Sequence, residues 1–284
     1  MTRPLVSVIV PYYDEEDHLE ACLRSILSQR GLALEVLAID DGSADASPAI
    51  VKRLAKASKG RLQALQQDHQ GPGAARNLGA RRARGKILAF VDADMTAAPG
   101  YLLKITAPIR AGKEDGTFVV DELVANPANP WARAWTLAHG MPEGRRLPAD
   151  MAPRANTYRA VRRDKFLAAG GNRAERGVGE DELDTRRLKP ALAVPGAVLF
   201  HANPASAREV WLSARWFGRG NAVWVSRGRF MALLATHCLP RSLAAAAWGS
   251  LRHRSLFFGG FKLLFDAAVF TGLCQGRFTG VKAR

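Results

Sequence analysis

The sequence predicts an α/β fold in which an open, mostly parallel sheet is flanked by helices and followed by a basic helical C-terminal segment. Two observations predict the sheet: short apolar runs alternate with segments of helical periodicity, and several of these runs end in aspartates. A third observation sets the C-terminal segment apart, because arginines and apolar stretches dominate it and acids are nearly absent. Alternation at this spacing is typical of strand–helix–strand units with right-handed crossovers.

Composition limits the class of protein. The chain has 284 residues, of which 48% are hydrophobic, and this fraction predicts a buried core rather than a disordered chain. Three widely spaced cysteines, an odd number, indicate reduced thiols and a cytoplasmic setting. The first apolar run is too short for a signal peptide and is followed at once by acidic residues, so it is interpreted as a buried strand.

Five aspartates follow the predicted strands. The strands are expected near residues 5–10, 34–39, 62–66 and 86–91, with helices between them, the first of which places Leu19, Cys22, Leu23, Ile26 and Leu27 on one face. In an open α/β sheet, ligands bind beyond the carboxyl ends of the strands. The aspartates at these ends are Asp14, Asp40, Asp41, Asp92 and Asp94. Chance acids would be spread over both edges, so this clustering predicts a functional site.

Residues 71–94 combine a glycine turn, a helix, a buried strand and two aspartates. The turn opens a helix whose free N–H groups can face an anion, and the carboxylates of Asp92 and Asp94 can converge on a divalent cation. A plain surface turn, with aspartates that cap the next helix, is the alternative. The dinucleotide fingerprint is excluded because Arg76 stands where its third glycine is required.

Four blocks carry a family resemblance. They are PYYDEEDHLEACLRSILSQ, EVLAIDDGSADAS, GPGAARNLGARRARGKILAFVDADM and GGNRAERGVGEDELDTRRL, the last at residues 170–188. In order and spacing they resemble the family 2 inverting glycosyltransferases, which have the GT-A fold. The resemblance implies a nucleotide-sugar donor and a divalent metal, Mg²⁺ or Mn²⁺.

The resemblance also implies roles for individual residues. Asp41 contacts the nucleobase beside Asp40, with Pro11 and Tyr13 lining the base pocket. Arg76 lies beside the nucleotide, Asp92 handles ribose and metal, and Asp94 is the metal ligand. The family's usual asparagine after the first strand is Asp14 here, which leaves the role of this position open.

Glu180 and Asp181 follow a glycine-rich approach and begin a predicted helix. Acids at a helix N-terminus can simply complement the helix dipole. The family match instead assigns Asp181, with Glu180 beside it, as the catalytic base that takes the proton of the acceptor hydroxyl. A single displacement of this kind inverts the anomeric configuration.

Three later features are less decisive. His201 ends a predicted strand at 192–200, and is either a third metal ligand or a surface histidine. Arg215 and Trp216 would flank the donor or acceptor, but the glutamine of the Q-x-x-R-W signature of processive relatives is missing, which favours transfer of one sugar. Residues 126–153, with two tryptophans, are interpreted as a mobile acceptor loop or as an ordinary packed excursion.

The segment from residue 226 is expected to bind a membrane surface. From His201 onward twelve Lys or Arg stand against two acids, 12 − 2 = +10 of the chain's +15. Aromatic runs that include Phe257, Phe258, Phe261, Phe265 and Phe270 accompany these cations. A helical subdomain with a solvated basic face is the alternative.

Three functions compete. A nucleic-acid-binding module would explain the charge, but the expected motifs are missing from residues 1–110. An inactive nucleotide-sugar-binding scaffold at the membrane would not need Asp181. The preferred hypothesis is a metal-dependent inverting glycosyltransferase that moves one sugar, expected from UDP, to a glycan or lipid-linked acceptor. It has a catalytic domain at 1–225, a membrane-surface segment at 226–284, and a location on the cytoplasmic face.

Overall fold

The computed structural model describes residues 5–148, 150–172 and 188–278. The strands in these ranges are β1 (Val6–Tyr12), β2 (Leu34–Asp40), β3 (Leu62–Gln66), β4 (Ile87–Phe90), β5 (Met95–Ala97), β6 (Gly116–Val124), β7 (Arg154–Ala155), β8 (Ala160–Arg162) and β9 (Ala191–His201). The helices are α1 (Leu19–Leu27), α2 (Ser47–Ala57), α3 (Pro72–Arg82), α4 (Tyr101–Arg110), α5 (Pro130–Ala138), α6 (Arg163–Ala168), α7 (Ala207–Trp224), α8 (Arg227–Thr236), α9 (Leu239–Arg252) and α10 (Leu256–Phe278).

The strands form a single mixed sheet in the order β3-β2-β1-β4-β8-β6-β9-β5, with β7 paired to β9. The pairs β3–β2, β2–β1 and β1–β4 are parallel, whereas β8 runs antiparallel to both β4 and β6. The predicted α/β sheet is therefore confirmed. It is less parallel than expected, because β8 runs against its neighbours β4 and β6, and β5 and β7 pair antiparallel with β9.

Helices cover both faces of the parallel half. All seven residues of β1 are buried, as a continuous apolar run predicts for a strand covered on both sides. Helix α1 buries Leu19, Cys22, Leu23 and Ile26, the face predicted from helical spacing. On the other face α3 lies so close to β1 that a Cβ on Gly79 would stand 2.6 Å from Ile9 Cγ2. This contact fixes the start of α3 relative to the carboxyl end of β1.

The described residues divide into two compact units. The first contains residues 5–123, 147–172 apart from residue 149, and 188–201, which include the sheet. The second contains residues 124–146 and 202–278. The boundary expected from the sequence is at residue 225, whereas the first unit ends at His201 and α7 belongs with the C-terminal helices.

The core of the second unit is aromatic. Trp131 of α5 lies against Phe257 and Phe261, with ring centroids 4.8 and 6.3 Å apart, and Trp135 lies 5.5 Å from Phe265. Residues 130–138 are therefore a packed helix, the second of the two alternatives for that segment.

Helices α7 and α10 approach each other backbone to backbone. A Cβ on Gly272 would lie 2.1 Å from Arg215 O, and one on Gly276 would lie 2.6 Å from Arg219 O. From the opposite side, a Cβ on Gly218 would lie 2.3 Å from Val269 O. Each obstacle is a backbone atom, so a side-chain rotation cannot relieve the overlap.

We therefore expect Gly272→Ala to lower the free energy of unfolding by about 3 kcal/mol, at the upper end of overpacking costs. Gly260→Ala is the matched control in the same helix. Nothing lies within 4 Å of its added Cβ, and alanine is the better helix former, so this variant should be neutral or slightly more stable. Urea unfolding of both variants measures the difference. Equal stabilities would contradict the close approach of the two helices.

Candidate active site at the carboxyl edge of the sheet

The predicted aspartates lie together at the carboxyl ends of β1, β2 and β4. Tyr12 pairs with Asp40 in the parallel ladder, and the chain leaves these strands at Tyr13 and Asp41. The residue pair Asp92 and Asp94 follows β4 directly. The sheet topology thus brings the acids to one edge, as strand-end placement predicts.

Asp92 lies between two arginines. Its Oδ1 accepts from Arg76 Nη2 at 2.5 Å, and its Oδ2 accepts from Arg159 Nη1 at 2.8 Å. Burial alone would raise the pKa of Asp92, but the guanidinium groups of Arg159 and Arg76 hold it far below its usual range. Asp92 is therefore an anion at any working pH, with both oxygens engaged.

Asp94 faces a histidine instead. His201 Nε2, at the end of β9, lies 2.8 Å from Asp94 Oδ2, and His201 Nδ1 lies 2.7 Å from Glu122 Oε1 on β6. Arg159 Nη2 reaches the other oxygen of Glu122 at 3.5 Å. One chain of charged groups thus runs from Arg76 through Asp92, Arg159, Glu122 and His201 to Asp94.

The donors at the end of this chain fit a divalent cation. Adjacent ligands of an octahedral ion with bonds of about 2.1 Å lie about 3.0 Å apart, close to the 2.8 Å between His201 Nε2 and Asp94 Oδ2. Glu122 on Nδ1 is the outer carboxylate that commonly orients a metal-binding histidine. Within the described ranges, no cluster of three or more His, Cys, Asp or Glu suited to a metal is present. Two of the described side chains, those of Asp94 and His201, could thus serve as ligands here, and other oxygens would complete the shell.

Asp92 does not fit the role of metal ligand that the sequence analysis gave it. Both of its oxygens accept hydrogen bonds from guanidinium groups, whereas Asp94 is the aspartate that faces His201. Geometry therefore separates the two members of the Asp-x-Asp pair. Asp92 positions two arginines, and Asp94 is the carboxylate that could bind a cation.

Asp41 holds the loop that leads into α3. Its buried carboxylate accepts from Gln67 Nε2 at 2.8 Å, from Gln70 N at 2.9 Å and from Gly71 N at 2.8 Å. His69 Nδ1 lies 3.0 Å from its Oδ2. Donors of the loop therefore already bond to the Asp41 carboxylate oxygens that were predicted to accept from the nucleobase. Gln67 is the partner that a base could replace without moving the backbone.

An aromatic pair stands beside this loop. Tyr13 is 45% exposed, and its ring lies 4.1 Å from that of His69, at an angle of 37°. Pro11 is buried within β1 opposite Ile39, and Asp40 closes the following turn by accepting from Ser43 N at 2.9 Å. Of the predicted base-pocket residues, Tyr13 is thus the one whose side chain is open to a ligand.

Asp14 closes a turn rather than facing the acid cluster. Its backbone has a φ of 52°, a conformation that asparagine and aspartate tolerate better than most residues. Its Oδ1 accepts from Ala44 N at 2.7 Å, and its own N–H donates to Ser43 Oγ at 3.0 Å. An asparagine side chain has the same Oδ1 acceptor, so aspartate and asparagine can close this turn equally well.

Glu15 has an unusually high pKa, so its carboxyl group is protonated at neutral pH. Burial, followed by the negative charge of Asp94, raises the pKa of Glu15 to about 8, although His201 opposes the shift. The folded chain therefore holds a proton that the unfolded chain releases near pH 4.5. This proton stabilises the folded state below pH 4.5, and the contribution is lost as the pH rises through 8.

Glu15→Gln should remove that dependence. We expect the variant to exceed the parent in unfolding free energy by about 2 kcal/mol at pH 9, after allowance for solvent screening, and to match it near pH 5. Denaturant unfolding at pH 5, 7 and 9 checks this, with the exposed Asp17→Asn as control. The same pH slope in the parent and in Glu15→Gln would count against a protonated Glu15.

The remaining predicted residues are Arg215, Trp216, Glu180 and Asp181. Arg215 and Trp216 belong to α7 in the second unit, where Trp216 is 44% exposed. Glu180 and Asp181 lie outside the described residues. The segment that leads to them begins at a fixed point, because Asn77 Nδ2 donates to Asn172 O and Asn172 N donates to Asn77 Oδ1, both at 2.8 Å.

Sequence reasoning missed Glu122, Arg159 and His69. Glu122 had a signal, since it and Asp121 are two consecutive acids inside a strand that is apolar on either side of them. Arg159 had a weaker signal, because it precedes a short strand among several other arginines. His69 lies in a polar loop and carried no distinguishing pattern.

Comparisons with known proteins identify relatives in sequence and in fold. The chain is 41% identical over 101 residues to the putative glycosyltransferase EpsH of Bacillus subtilis, a match that covers 36% of this chain and 29% of that relative. The chain thus matches about a third of the relative's length. Two solved structures share the fold.

The first is mannosyltransferase PcManGT from Pyrobaculum calidifontis in complex with GDP-Man and Mn²⁺, with a TM-score of 0.61, 19% identity, and coverage of 99% of this chain and 89% of that one. The second is S. aureus TarS 1-349 in complex with UDP-GlcNAc, with a TM-score of 0.58, 17% identity, and coverage of 96% and 92%. The GT-A fold expected from the sequence is thereby confirmed. The family profile described as glycosyl transferase family 2 matches residues 7–168, more than half of the chain, and the protein belongs to that family.

Proposed function

We propose that this protein is an inverting glycosyltransferase that moves one sugar from a nucleotide-sugar, with UDP as the nucleotide, to an acceptor hydroxyl in glycan or polysaccharide biosynthesis. The observation that carries the proposal is the chain of charged groups from Arg76 to Asp94 at the carboxyl edge of the sheet. Donor complexes of the two structural neighbours support nucleotide-sugar binding by this fold.

Asp94 and His201 are the residues that would hold Mg²⁺ or Mn²⁺. The cation, when bound, offsets the negative charge that develops on the departing diphosphate. Glu122 keeps His201 Nδ1 engaged, so that Nε2 is directed at the site. Asp92 fixes the guanidinium groups of Arg76 and Arg159 in place, and fixed cations stabilise a developing charge without the cost of reorganisation.

Asp181 is proposed as the base, with Glu180 beside it. A carboxylate within hydrogen-bond reach of the acceptor hydroxyl takes its proton as the oxygen attacks the anomeric carbon. The bond to the diphosphate breaks on the opposite face, so the configuration inverts. The missing glutamine before Arg215 and Trp216 supports a single transfer rather than polymerisation.

A panel of UDP- and GDP-sugars tests the activity. We expect metal-dependent release of nucleoside diphosphate from one donor, and faster release when the correct acceptor is added. Nucleotide binding without turnover would instead favour the alternative, an inactive nucleotide-sugar-binding scaffold. Loss of the signal on chelation, and its return with Mn²⁺, would establish the cofactor.

The base preference depends on Asp41. A uracil N3–H can donate to a carboxylate, whereas cytosine N3 has no proton to donate. We expect Asp41→Ala to weaken UDP binding and to narrow the difference between UDP and CDP affinities, as measured by titration calorimetry. Gln67→Ala is the control that separates the two roles of Asp41, since it removes one of the two hydrogen bonds to Oδ1 while leaving those from Gln70 N and Gly71 N. Equal affinities of the parent for UDP and CDP would contradict the assignment.

We also propose peripheral association with the cytoplasmic face of a membrane, where a lipid-linked acceptor would be available. The charge of the chain supports this, because eight cations and no acid lie between Glu209 and Asp266. A nucleic-acid partner is not proposed, since the charged site is built from paired acids and arginines rather than from stacking aromatics along a basic groove.

A further inference from the structure

Three of the five α10 phenylalanines that the sequence suggested as a membrane contact are not available for it, whereas Phe257 and Phe270 are 39% and 38% exposed. Phe258, Phe261 and Phe265 are buried in the core of the second unit. Asp266 is 1% exposed, and its Oδ1 accepts from Lys262 Nζ at 2.6 Å and lies 2.7 Å from His237 Nδ1. The helix is long and apolar enough to span a bilayer, yet half of its most apolar window is buried inside the protein. These residues make α10 the central helix of its unit.

Helix α9 exposes a group of four large apolar side chains. Its members, which we call the α9 face, are Leu239 at 68%, Leu243 at 52%, Trp248 at 67% and Leu251 at 76% exposure. At about 100° per residue these four occupy about half of the helix circumference. The opposite side buries Ser242, Ala246 and Gly249. Leu256, at 90% exposure, follows at the start of α10.

Cations border this surface. At the same angular step, Arg241 and Arg252 lie about 20° apart at one edge of the α9 face, beyond Trp248. Both are exposed, as is Arg254 in the turn before α10. The sequence from residue 210 to residue 265 contains no acid that could neutralise them. The surface therefore combines large apolar side chains, an interfacial tryptophan and positive charge.

We propose that the α9 face is a docking surface for an anionic lipid bilayer, on which the protein lies without crossing it. The inference deepens the proposed function, on which it rests for the presence of a membrane acceptor. Helix α9 has 14 residues and is about 21 Å long, less than the ~30 Å hydrocarbon core. Apolar side chains at the lipid boundary with arginines at headgroup level are the pattern of an interfacial helix.

Charge favours lipid over a second copy of the chain as the occupant. Self-association through the α9 face would bury the leucines, but it would bring Arg241 and Arg252 no anion, because the partner surface contains the same acid-free stretch. An anionic bilayer would bury the apolar side chains in its lipid boundary and place anionic headgroups beside the arginines. Each cation near such a surface strengthens binding about fivefold.

Sedimentation of the full chain with vesicles tests the proposal. We expect binding to vesicles of phosphatidylglycerol and phosphatidylcholine, release as salt rises, and weak binding to phosphatidylcholine alone. The double change Arg241→Ala with Arg252→Ala should weaken binding about 20-fold, and Leu243→Ser with Leu251→Ser at least tenfold. The control, Leu167→Ser, removes an exposed leucine outside the α9 face and should leave binding unchanged.

Brominated lipids give a second measurement at one residue. They should quench the fluorescence of the parent more than that of Trp248→Phe, because Trp248 is placed to enter the boundary. The proposal is overturned if the α9-face variants and the control bind equally, or if the leucine changes dissociate an oligomer without affecting vesicle binding. Donor hydrolysis in solution should be the same in all variants, so a protein that binds vesicles but never turns over a donor would refute the proposed function alone.

Discussion

Asp94→Ala is expected to abolish metal-dependent binding of the nucleotide-sugar and to reduce turnover at least ~10³-fold, since it removes one of the two described side chains that we propose as ligands of a cation that would offset diphosphate charge. The fold should remain, because Asp94 lies at the sheet edge and its side chain is 32% exposed. Calorimetry of UDP binding with and without Mn²⁺, together with a turnover assay, measures both effects.

Two further variants test whether the effect of Asp94→Ala comes from the proposed cation site. Glu122→Gln alters only the outer partner of His201, so it should weaken metal affinity by about 10- to 100-fold without abolishing it. Asp164→Ala removes an exposed acid that pairs with Arg162, away from the site, and should have no effect on turnover. Unchanged turnover in Asp94→Ala would disprove its role as a ligand.

Asp181→Asn is expected to preserve donor affinity while transfer falls ~10²–10⁴-fold, the usual contribution of a positioned base. Asparagine has nearly the same shape but cannot take the proton of the acceptor hydroxyl. Single-turnover transfer, measured beside UDP-sugar binding, separates the two effects. A parallel loss of binding and transfer would instead make Asp181 a donor contact or a structural residue.

The sequence contained enough information to locate the acid cluster. The runs around Ile9, Leu37 and Leu88 are apolar throughout, as strands buried on both faces must be, and parallel strands direct their carboxyl ends to one edge. Asp40, Asp41, Asp92 and Asp94 could therefore be placed together from local patterns alone.

The partners of these acids could not be found in that way. Arg159 and Glu122 reach the site through antiparallel pairings of β8 and β6, which join residues far apart in the chain. No local pattern records which strands become neighbours across such distances. The sequence accordingly did not show that two arginines donate to the oxygens of Asp92, or that the loop after β3 donates to those of Asp41.

The glycine contacts between α7 and α10 have a consequence for how this chain can be shortened. A boundary at residue 225 separates the two helices, leaving Arg215 O and Arg219 O of α7 without the helix that now covers them. Cleavage or truncation at this boundary would therefore disrupt the packing of α7 and would not yield an independently folded N-terminal fragment.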